Sequence, residues 1–350
     1  MKTGRILVAG LVCGILLLVG CGKDVSTDEF IFHDSESVAE TEANAGDDEL
    51  SNKTKYIGTL QHGVNWAADE KDYSFVYEGG ALEIPYTING SGICTSVGFL
   101  IYINGIPQPY MIKDTEEEYK YMHIIEGDEN QEVDFTISFT PVTGKTGDKV
   151  SLRIDSIANP SFIPDMTNTF DYGMSHQALE ANYEILFQKD AETMPKVDDV
   201  ICLLKTVCTQ STEIDKDEME YMTGEAKPDL DTPVYADLKI DGDSMLLDRK
   251  SDISGKDKVH IAYIMMGHPG MKYRICFYLN HQLLTDESGD VCELELATGK
   301  MSILEFDMDV SQVTDASFYA VAVPVNAEDY PDDPISTMKF PSIHLYRGEN

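Results

Sequence analysis

From Tyr56 onward, apolar and polar residues alternate along short runs that are bounded by Gly, Pro, Asn and Asp. Successive side chains of a β-strand point to opposite faces of the sheet, so a period of two predicts strands with one buried face. Asn104-Gly105 predicts a two-residue hairpin turn, and Pro107 and Pro109 place the strand that follows it at a sheet edge. The predicted strands of the first half include Tyr73–Tyr77, Leu82–Tyr86, Val97–Ile103, Val133–Phe139 and Val150–Ile154.

The order of strands and turns recurs in the second half of the chain, where apolar runs again end at an Asn and a turn. Two copies of one unit of ordinary domain size, each built from short strands, predict an all-β chain. We therefore expect two tandem immunoglobulin-like β-sandwich domains, although no Cys…Trp…Cys core pattern supports more than the architecture. The matched segments are Phe99–Asn104 with Ile275–Asn280, Val133–Ile157 with Ile303–Met308 and Phe318–Val323, and Asn182–Phe187 with Ser342–Tyr346.

The first β-sandwich domain is predicted over residues 55–192 and the second over residues 228–350, with residues 193–227 as the connecting segment. The boundary between the two units falls between about 190 and 228. Within the connecting segment, Ile214–Met222 predicts a short acidic helix that ends before Gly224. Ser175–Ala191 has both helical spacing and strand alternation, and we favour a short helix or turn leading into a last strand.

The first 21 residues have the layout of an export signal. Lys2 and Arg5 form a short positive region, and the apolar run Ile6–Val19 is shorter than the roughly 20 residues of a spanning helix. Leu18-Val19-Gly20-Cys21 resembles the lipobox of bacterial lipoproteins. The resemblance implies cleavage directly before Cys21, a diacylglyceryl group on its sulfur, and attachment to the extracytoplasmic face of the cell membrane. A plain signal peptide or an uncleaved anchor is the alternative, and the short run disfavours both.

We therefore predict a signal peptide over residues 1–20 and a lipidated, disordered acidic linker over residues 21–54. Phe30-Ile31-Phe32 is the one apolar run in this linker. Such a segment buries too little apolar area to offset its ordering entropy, and its like charges keep it extended. Without residues 1–20 the chain has 24 Lys and Arg against 62 Asp and Glu, a net charge of −38, which disfavours nucleic-acid binding.

No catalytic motif and no cofactor site is evident in the sequence. Ser175-His176 lacks the second glycine and the preceding apolar strand of a nucleophile elbow. Calcium is the one cation that we consider, because five aspartates cluster before or at the start of the second unit and oxygen ligands suit hard cations. Their spacing is not that of an EF-hand, so a solvated loop is the simpler interpretation. These residues are Asp229, Asp231, Asp237, Asp241 and Asp243.

Five cysteines remain in the body of the chain, and an odd number cannot all pair internally. Their spacing matches no zinc motif, and export permits disulfides without requiring them. Cys94 and Cys276 lie in apolar runs and are expected to be core residues. The other three are Cys202, Cys208 and Cys292.

Aromatic residues in loop-like segments are the candidate ligand contacts. Trp66, Tyr110, Tyr119 and Tyr121 could stack on a sugar or anchor a partner. Packing beneath a loop is the competing interpretation and is favoured for Trp66, because an indole rarely stays exposed.

The sequence leaves three functions in order of preference. The first is a non-enzymatic surface lipoprotein that binds or scaffolds an envelope or extracellular macromolecule, and the second is a glycan- or ligand-capture surface subunit. The third is an envelope hydrolase with a dispersed site. An immunoglobulin-like architecture does not choose among them, because sandwiches carry many functions.

Overall fold

The computed structural model describes residues 58–66, 74–92, 94–115, 118–127, 132–163, 176–193, 197, 199–247, 249–289 and 291–348. The described residues are almost entirely β-structure and form two tandem immunoglobulin-like sandwiches, which confirms the predicted fold class. The predicted signal peptide, the lipidation site Cys21 and the acidic linker up to residue 54 lie outside the described residues. Within the described part of the chain, no helix has the length and hydropathy needed to cross a membrane.

The first sandwich is built from two sheets whose strands follow the predicted alternation. One sheet has the order β1-β3-β8-β6 and the other β2-β10-β9-β4-β5, with β7 also pairing with β4. All pairs are antiparallel except β2 with β10. The strands are β1 Gly58–Val64, β2 Ser74–Tyr77, β3 Leu82–Gly92, β4 Ser96–Ile103, β5 Ile106–Pro107, β6 Met111–Ile112, β7 Met122–Glu126, β8 Glu132–Phe139, β9 Lys149–Ala158 and β10 Ala178–Phe187.

The core of the first sandwich lies between these two sheets. In β3 every second side chain is buried, so Ile84, Tyr86 and Ile88 point inward while their neighbours face solvent. They meet Phe99 and Ile154 of the opposite sheet in one apolar cluster. The period of two in the sequence is therefore the burial pattern of the sandwich.

The second sandwich has the order β12-β20-β16-β13-β14 in one sheet and β11-β18-β17-β21-β23-β15 in the other, where β19 also pairs with β17 and β22 with β21. Its core joins side chains from both sheets in a second apolar cluster. The strands are β11 Val200–Cys202, β12 Leu204–Glu213, β13 Val234–Ile240, β14 Asp243–Ser244, β15 Lys250–Asp252, β16 Lys258–Gly267, β17 Lys272–Leu279, β18 Gln282–Thr285, β19 Cys292–Glu295, β20 Lys300–Asp309, β21 Asp315–Pro324, β22 Met338–Lys339 and β23 Ile343–Tyr346.

The two units repeat one topology, as the matched segments predicted. In both, the last strand pairs in parallel with a short early strand, β10 with β2 and β23 with β15. The central pair β4 and β9 of the first unit corresponds to β17 and β21 of the second. Strand β5, which contains Pro107, ends its sheet, as expected for an edge.

The predicted hairpin at Asn104-Gly105 is present, and the second unit has the same turn at Asn280-His281. The φ angles are 50° and 74° in the first turn and 48° and 68° in the second. Two successive residues with positive φ are the geometry of the hairpin turn that twists with its strands. A histidine therefore occupies a left-handed position that the first unit gives to glycine.

The segment predicted to connect the units contributes strands to the second one. β11 pairs in parallel with β18, and β12 pairs with β20 along its length, with a bulge between Lys205 and Cys208. The predicted acidic helix is α1, Lys216–Thr223, which Asp215 caps at its N-terminus and Gly224 ends with a φ of 73°. Residues Ala178–Phe187 form the last strand of the first unit, and the described residues directly before it contain no helix.

Candidate functional site

The outer faces of β4 and β9 pack against those of β17 and β21, so the two sandwiches meet through a third apolar cluster. Each unit thereby covers an apolar sheet face that would otherwise be exposed to water, which stabilises the contact. All eight residues of β4 are buried, because one face lies in the sandwich and the other in this contact. The buried members are Leu100, Tyr102, Met122 and Ile157 of the first unit and Cys276, Tyr278, Leu283, Tyr319, Val321 and Val323 of the second.

Two tyrosines at equivalent positions of the repeat meet at the centre of this contact. The hydroxyl oxygens of Tyr102 and Tyr278 are 2.9 Å apart, and both side chains are fully buried. Burial raises the pKa of both phenols well above the ordinary value, so both stay neutral. The ring of Tyr278 also stacks on Tyr319 at 5.2 Å between centroids. The pair is therefore a neutral hydrogen bond that fixes the relative position of the two units.

The two repeated hairpin turns hold the ends of the contact. Arg274 donates a hydrogen bond to the carbonyl oxygen of Asn104, and a side chain at Gly105 would come within 2.7 Å of Val325. In the second unit, the ring nitrogen Nε2 of His281 lies 2.6 Å from the carbonyl oxygen of Pro160. The left-handed backbone of His281 is thus retained where its side chain bridges the units.

A buried ion pair of the first unit lies next to this contact. The Arg153 guanidinium is 2.6 Å from the Glu180 carboxylate, with 7% and 13% of the side chains exposed. Glu180 also accepts a hydrogen bond from the backbone N–H of Thr337 in the second unit. Asp155 is buried beside them, and this burial, with the nearby Glu180 charge, raises its pKa well above the ordinary value. The second carboxylate oxygen of Glu180 is therefore bound by the backbone of the other unit, which ties the ion pair to the interdomain contact.

A second cluster of titratable side chains in this contact lies around the hydroxyl of Ser342. The Lys339 Nζ lies 3.1 Å and the His176 Nδ1 2.9 Å from the Ser342 Oγ. Burial lowers the pKa of Lys339 to about 7 and holds the pKa of His176 well below its ordinary value. Lys339 also lies over the Tyr319 ring, 4.6 Å from its centroid.

An amine and an imidazole beside one hydroxyl are groups that can activate a serine nucleophile. Here Ser342 is 0% exposed and His176 3% exposed, so a substrate carbonyl has no approach to the Ser342 oxygen. Because His176 belongs to the first unit and Ser342 and Lys339 to the second, the same contacts join the two sandwiches. The arrangement acts as an interdomain clamp rather than as a catalytic centre.

The predicted aromatic contacts are mostly packed into the first unit. Trp66 is half-buried and stacks on Phe75 at 4.9 Å between ring centroids. Tyr110 is fully buried, and its hydroxyl donates to the carbonyl oxygen of Phe99. Tyr119 is half-buried, and Tyr121 packs against the interdomain cluster. These four rings therefore do not form one stacking platform.

The five aspartates do not converge on a cation site. Asp237 is buried and accepts a hydrogen bond from Ser244, whereas Asp241 pairs with Lys256. Within the described ranges, no group of three or more His, Cys, Asp or Glu side chains could hold a metal ion. The described cysteines are all free thiols: Cys94 and Cys276 are buried as predicted, Cys202 and Cys208 are exposed and Cys292 is half-buried. Ser175 lies outside the described residues.

Two open depressions flank the point where the chain passes from β11 to β12. One has a volume of about 310 Å³ and an apolar wall that includes Leu203, and the other, of about 410 Å³, is lined by Lys205 and Thr206. They share Asp309 and Ser311. Thr206 has a φ of 55°, which is unusual for a β-branched residue and belongs to the bulge in β12.

The interdomain clamp matches no sequence motif, because its residues are distant in sequence. The one local signal lies in Phe99–Ile103 and Ile275–Leu279, which are continuously apolar rather than alternating. A strand that is apolar on both faces is buried on both faces. That pattern predicts a covered sheet, but it does not say that the other unit covers it.

No protein-family model and no curated protein matches the sequence. Similar solved structures include WR4, an MSP family member of C. elegans, with 13% identity over 33% of this chain and 92% of that chain and a TM-score of 0.20. The Ig1-2 module of the Drosophila receptor protein tyrosine phosphatase DLAR has 12% identity over 79% and 95%, with a TM-score of 0.19. The Salmonella enterica SafA pilin in complex with the SafB chaperone has 8% identity over 81% and 94%, with a TM-score of 0.21. At these TM-scores the likenesses carry no argument about function.

Proposed function

We propose that this chain is a bacterial surface lipoprotein, held at the extracytoplasmic face of the membrane by lipid on Cys21. Its two sandwiches act as one non-enzymatic body that binds or scaffolds an envelope or extracellular macromolecule. The observation that carries this proposal is the interdomain clamp. The side chains best suited to chemistry, those around Ser342, are consumed in holding two β-units together.

A fixed relation between two units suits a protein whose work is recognition. Preorganisation lowers the entropy lost on binding, because the surface that contacts the partner is already assembled. The neutral Tyr102–Tyr278 hydrogen bond, the two turn contacts and the Glu180–Thr337 contact all restrain the same pair of sheets. The proposed partner surface is therefore rigid rather than hinged.

The lipid anchor is tested by phase partition of the chain from whole cells in a cloud-point detergent. Wild type should enter the detergent phase, and Cys21→Ala should stay in the aqueous phase or keep its leader, because it lacks the acylated sulfur. Cys202→Ala is the matched control, since Cys202 is an exposed thiol in a folded strand. Detergent partition of a fully processed Cys21→Ala chain would contradict the anchor.

The binding role is tested by chemical cross-linking on intact cells, followed by affinity isolation of the wild-type chain. A reproducible envelope or extracellular partner is expected, and it should be lost when the interdomain contact is broken by Tyr278→Asp. Tyr221→Asp, at a residue 46% exposed on α1, is the control for surface charge. Robust turnover of an envelope polymer by the purified chain, with no stable partner, would favour a hydrolase instead.

A further inference from the structure

The second sandwich completes one sheet edge with a strand from outside the unit, whereas the first sandwich leaves the matching edge open. β12 pairs with β20 from Lys300 to Met308. Its counterpart β8 pairs on the same edge with β6 at Ile137 and Ser138, and the backbone N–H of Lys113 donates one hydrogen bond to the carbonyl oxygen of Thr136. Among the residues that the structure describes, no strand pairs with the outer edge of β8 before Thr136.

This difference leaves part of the first core accessible to water. Phe135 pairs with Tyr86 of β3, and Leu304 of β20 pairs with Tyr263 of β16, so Phe135 and Leu304 occupy equivalent positions. Leu304 is 0% exposed, but Phe135 and its inward-facing neighbour Val133 are only half-buried. An added strand at this edge would remove apolar surface from water and pair open backbone groups.

The position of β12 in the chain indicates which segment could fill the open edge. β12 precedes β13, the first long strand of its unit, and residues 214–233 connect the two. The acidic linker precedes β1 in the same way, and residues 33–57 would connect Phe30-Ile31-Phe32 to β1. An extended chain spans about 3.3 Å per residue, so this connection reaches up to about 80 Å, more than enough to cross one sandwich.

The residues of that segment also suit the edge. Phe30 and Phe32 are two residues apart and therefore point to one face of a strand, where they would cover Val133 and Phe135. They form the one apolar run of the linker, and the linker was expected to stay disordered along its whole length. We propose that Phe30-Ile31-Phe32 binds the open edge of β8 as an added antiparallel strand, as β12 does on β20.

Binding in this way would shorten the free part of the linker. Given the proposed lipid on Cys21, residues 22–29 would remain between the membrane and the bound strand, a reach of about 26 Å instead of about 120 Å for residues 22–57. The edge carries exposed Glu132 and Asp134, and the linker carries Asp28 and Glu29, so like charges oppose the pairing. Salt should therefore strengthen it by screening this repulsion.

Hydrogen exchange of the mature full chain in detergent, followed by mass spectrometry, tests the proposal. Phe30→Asp/Phe32→Asp removes the apolar contacts, and Val38→Asp/Ala39→Asp adds the same two charges elsewhere in the linker. In wild type and the control, peptides over residues 28–36 and 132–135 should exchange at least tenfold more slowly than in the Phe variant. Protection should rise with salt, and β4 should exchange equally in all three chains, which reports an intact fold.

Equal exchange of β8 in all three chains would overturn the proposal. Protection of residues 28–36 without protection of β8 would place the linker at another site. An equal loss of protection in both variants would mean that the added charges, and not the missing phenylalanines, cause the loss. A partner strand at this edge instead of the linker would appear as β8 protection only after the partner is added. None of these results depends on lipidation of Cys21, which the detergent partition experiment tests separately.

Discussion

The two sandwiches share one strand order, but different parts of the molecule complete them. Among the described residues, the first unit has only short elements at its β8 edge, whereas the second takes β11 and β12 from the segment that precedes it. At equivalent turn positions the first unit has Gly105 and the second has His281. The comparison teaches that the repeat preserves the topology while the edges and turns were adapted to neighbours.

These adaptations concentrate where one unit contacts the other. Gly105 has no side chain because Val325 of the second unit lies against it, and His281 has one because Pro160 of the first unit accepts its hydrogen bond. The left-handed backbone costs little at glycine and more at histidine, so the second turn depends on its contact to persist. Three changes that act differently on the two units test this comparison.

The difference between the two hairpin turns, Gly105 in one and His281 in the other, should give the largest change in stability. Gly105→Ala combines a φ of 74° with a Cβ 2.7 Å from the Val325 Cγ1, so we expect a loss of about 3 kcal/mol in the free energy of unfolding. Gly299→Ala is the control, because its φ of 70° is similar but no atom lies within 4 Å, and it should cost about 1 kcal/mol. Urea titration of the mature chain measures both, and equal losses would show that Val325 does not restrict this turn.

A buried carboxylate distinguishes β13, the first strand of the second repeat, from its counterpart β1. Its replacement should give the next largest change in stability. Leu238 pairs with Tyr263 and Val64 with Tyr86, so Asp237 of β13 stands where β1 has Gly63. Burial raises the pKa of Asp237 to about 6 from its ordinary value of 3.8. A raised pKa in the folded state favours folding below pH 3.8, and that contribution is lost as the pH rises to about 6.

Asp237→Asn removes this titration while keeping the size of the side chain. Relative to wild type, the variant should gain roughly 2 to 3 kcal/mol of unfolding free energy between pH 3.5 and pH 7.5, since one pKa unit is about 1.4 kcal/mol. Asp243→Asn, at an exposed position in β14, is the control for the loss of one acidic side chain. Parallel pH profiles for Asp237→Asn and wild type would mean that folding does not raise the pKa of Asp237.

Local patterns were enough to predict most of the strands and the repeat, because each depends on neighbouring residues. Asn104-Gly105 predicted its hairpin, whereas Asn280-His281 is a weaker signal for the same turn, since histidine seldom adopts a positive φ. β12 alternates poorly and is largely exposed, so its own pattern did not show which sheet it would complete. Its place follows from the open edge of β20, which is a property of the folded unit.

The clamp was harder to predict than the strands, for a different physical reason. His176 and Ser342 lie 166 residues apart and belong to no spacing motif, so only the docking of two folded units brings them together. The aromatic candidates show a different difficulty, because a tyrosine such as Tyr110 can be apolar core with one satisfied hydroxyl as readily as a binding residue. Sequence patterns therefore located the apolar faces but not their partners.

The smallest expected effect tests the centre of the interdomain contact. Tyr102→Phe and Tyr278→Phe each leave the other hydroxyl buried without its 2.9 Å partner, so each should cost about 1 to 2 kcal/mol. The double variant removes both hydroxyls and should be less destabilised than the sum of the two single variants. Tyr263→Phe is the matched control: within the described residues its buried hydroxyl has no hydrogen-bond partner, so its removal should be neutral or stabilising. Additive losses for Tyr102 and Tyr278 would mean that the two hydroxyls act independently, so that this hydrogen bond would not link the two units.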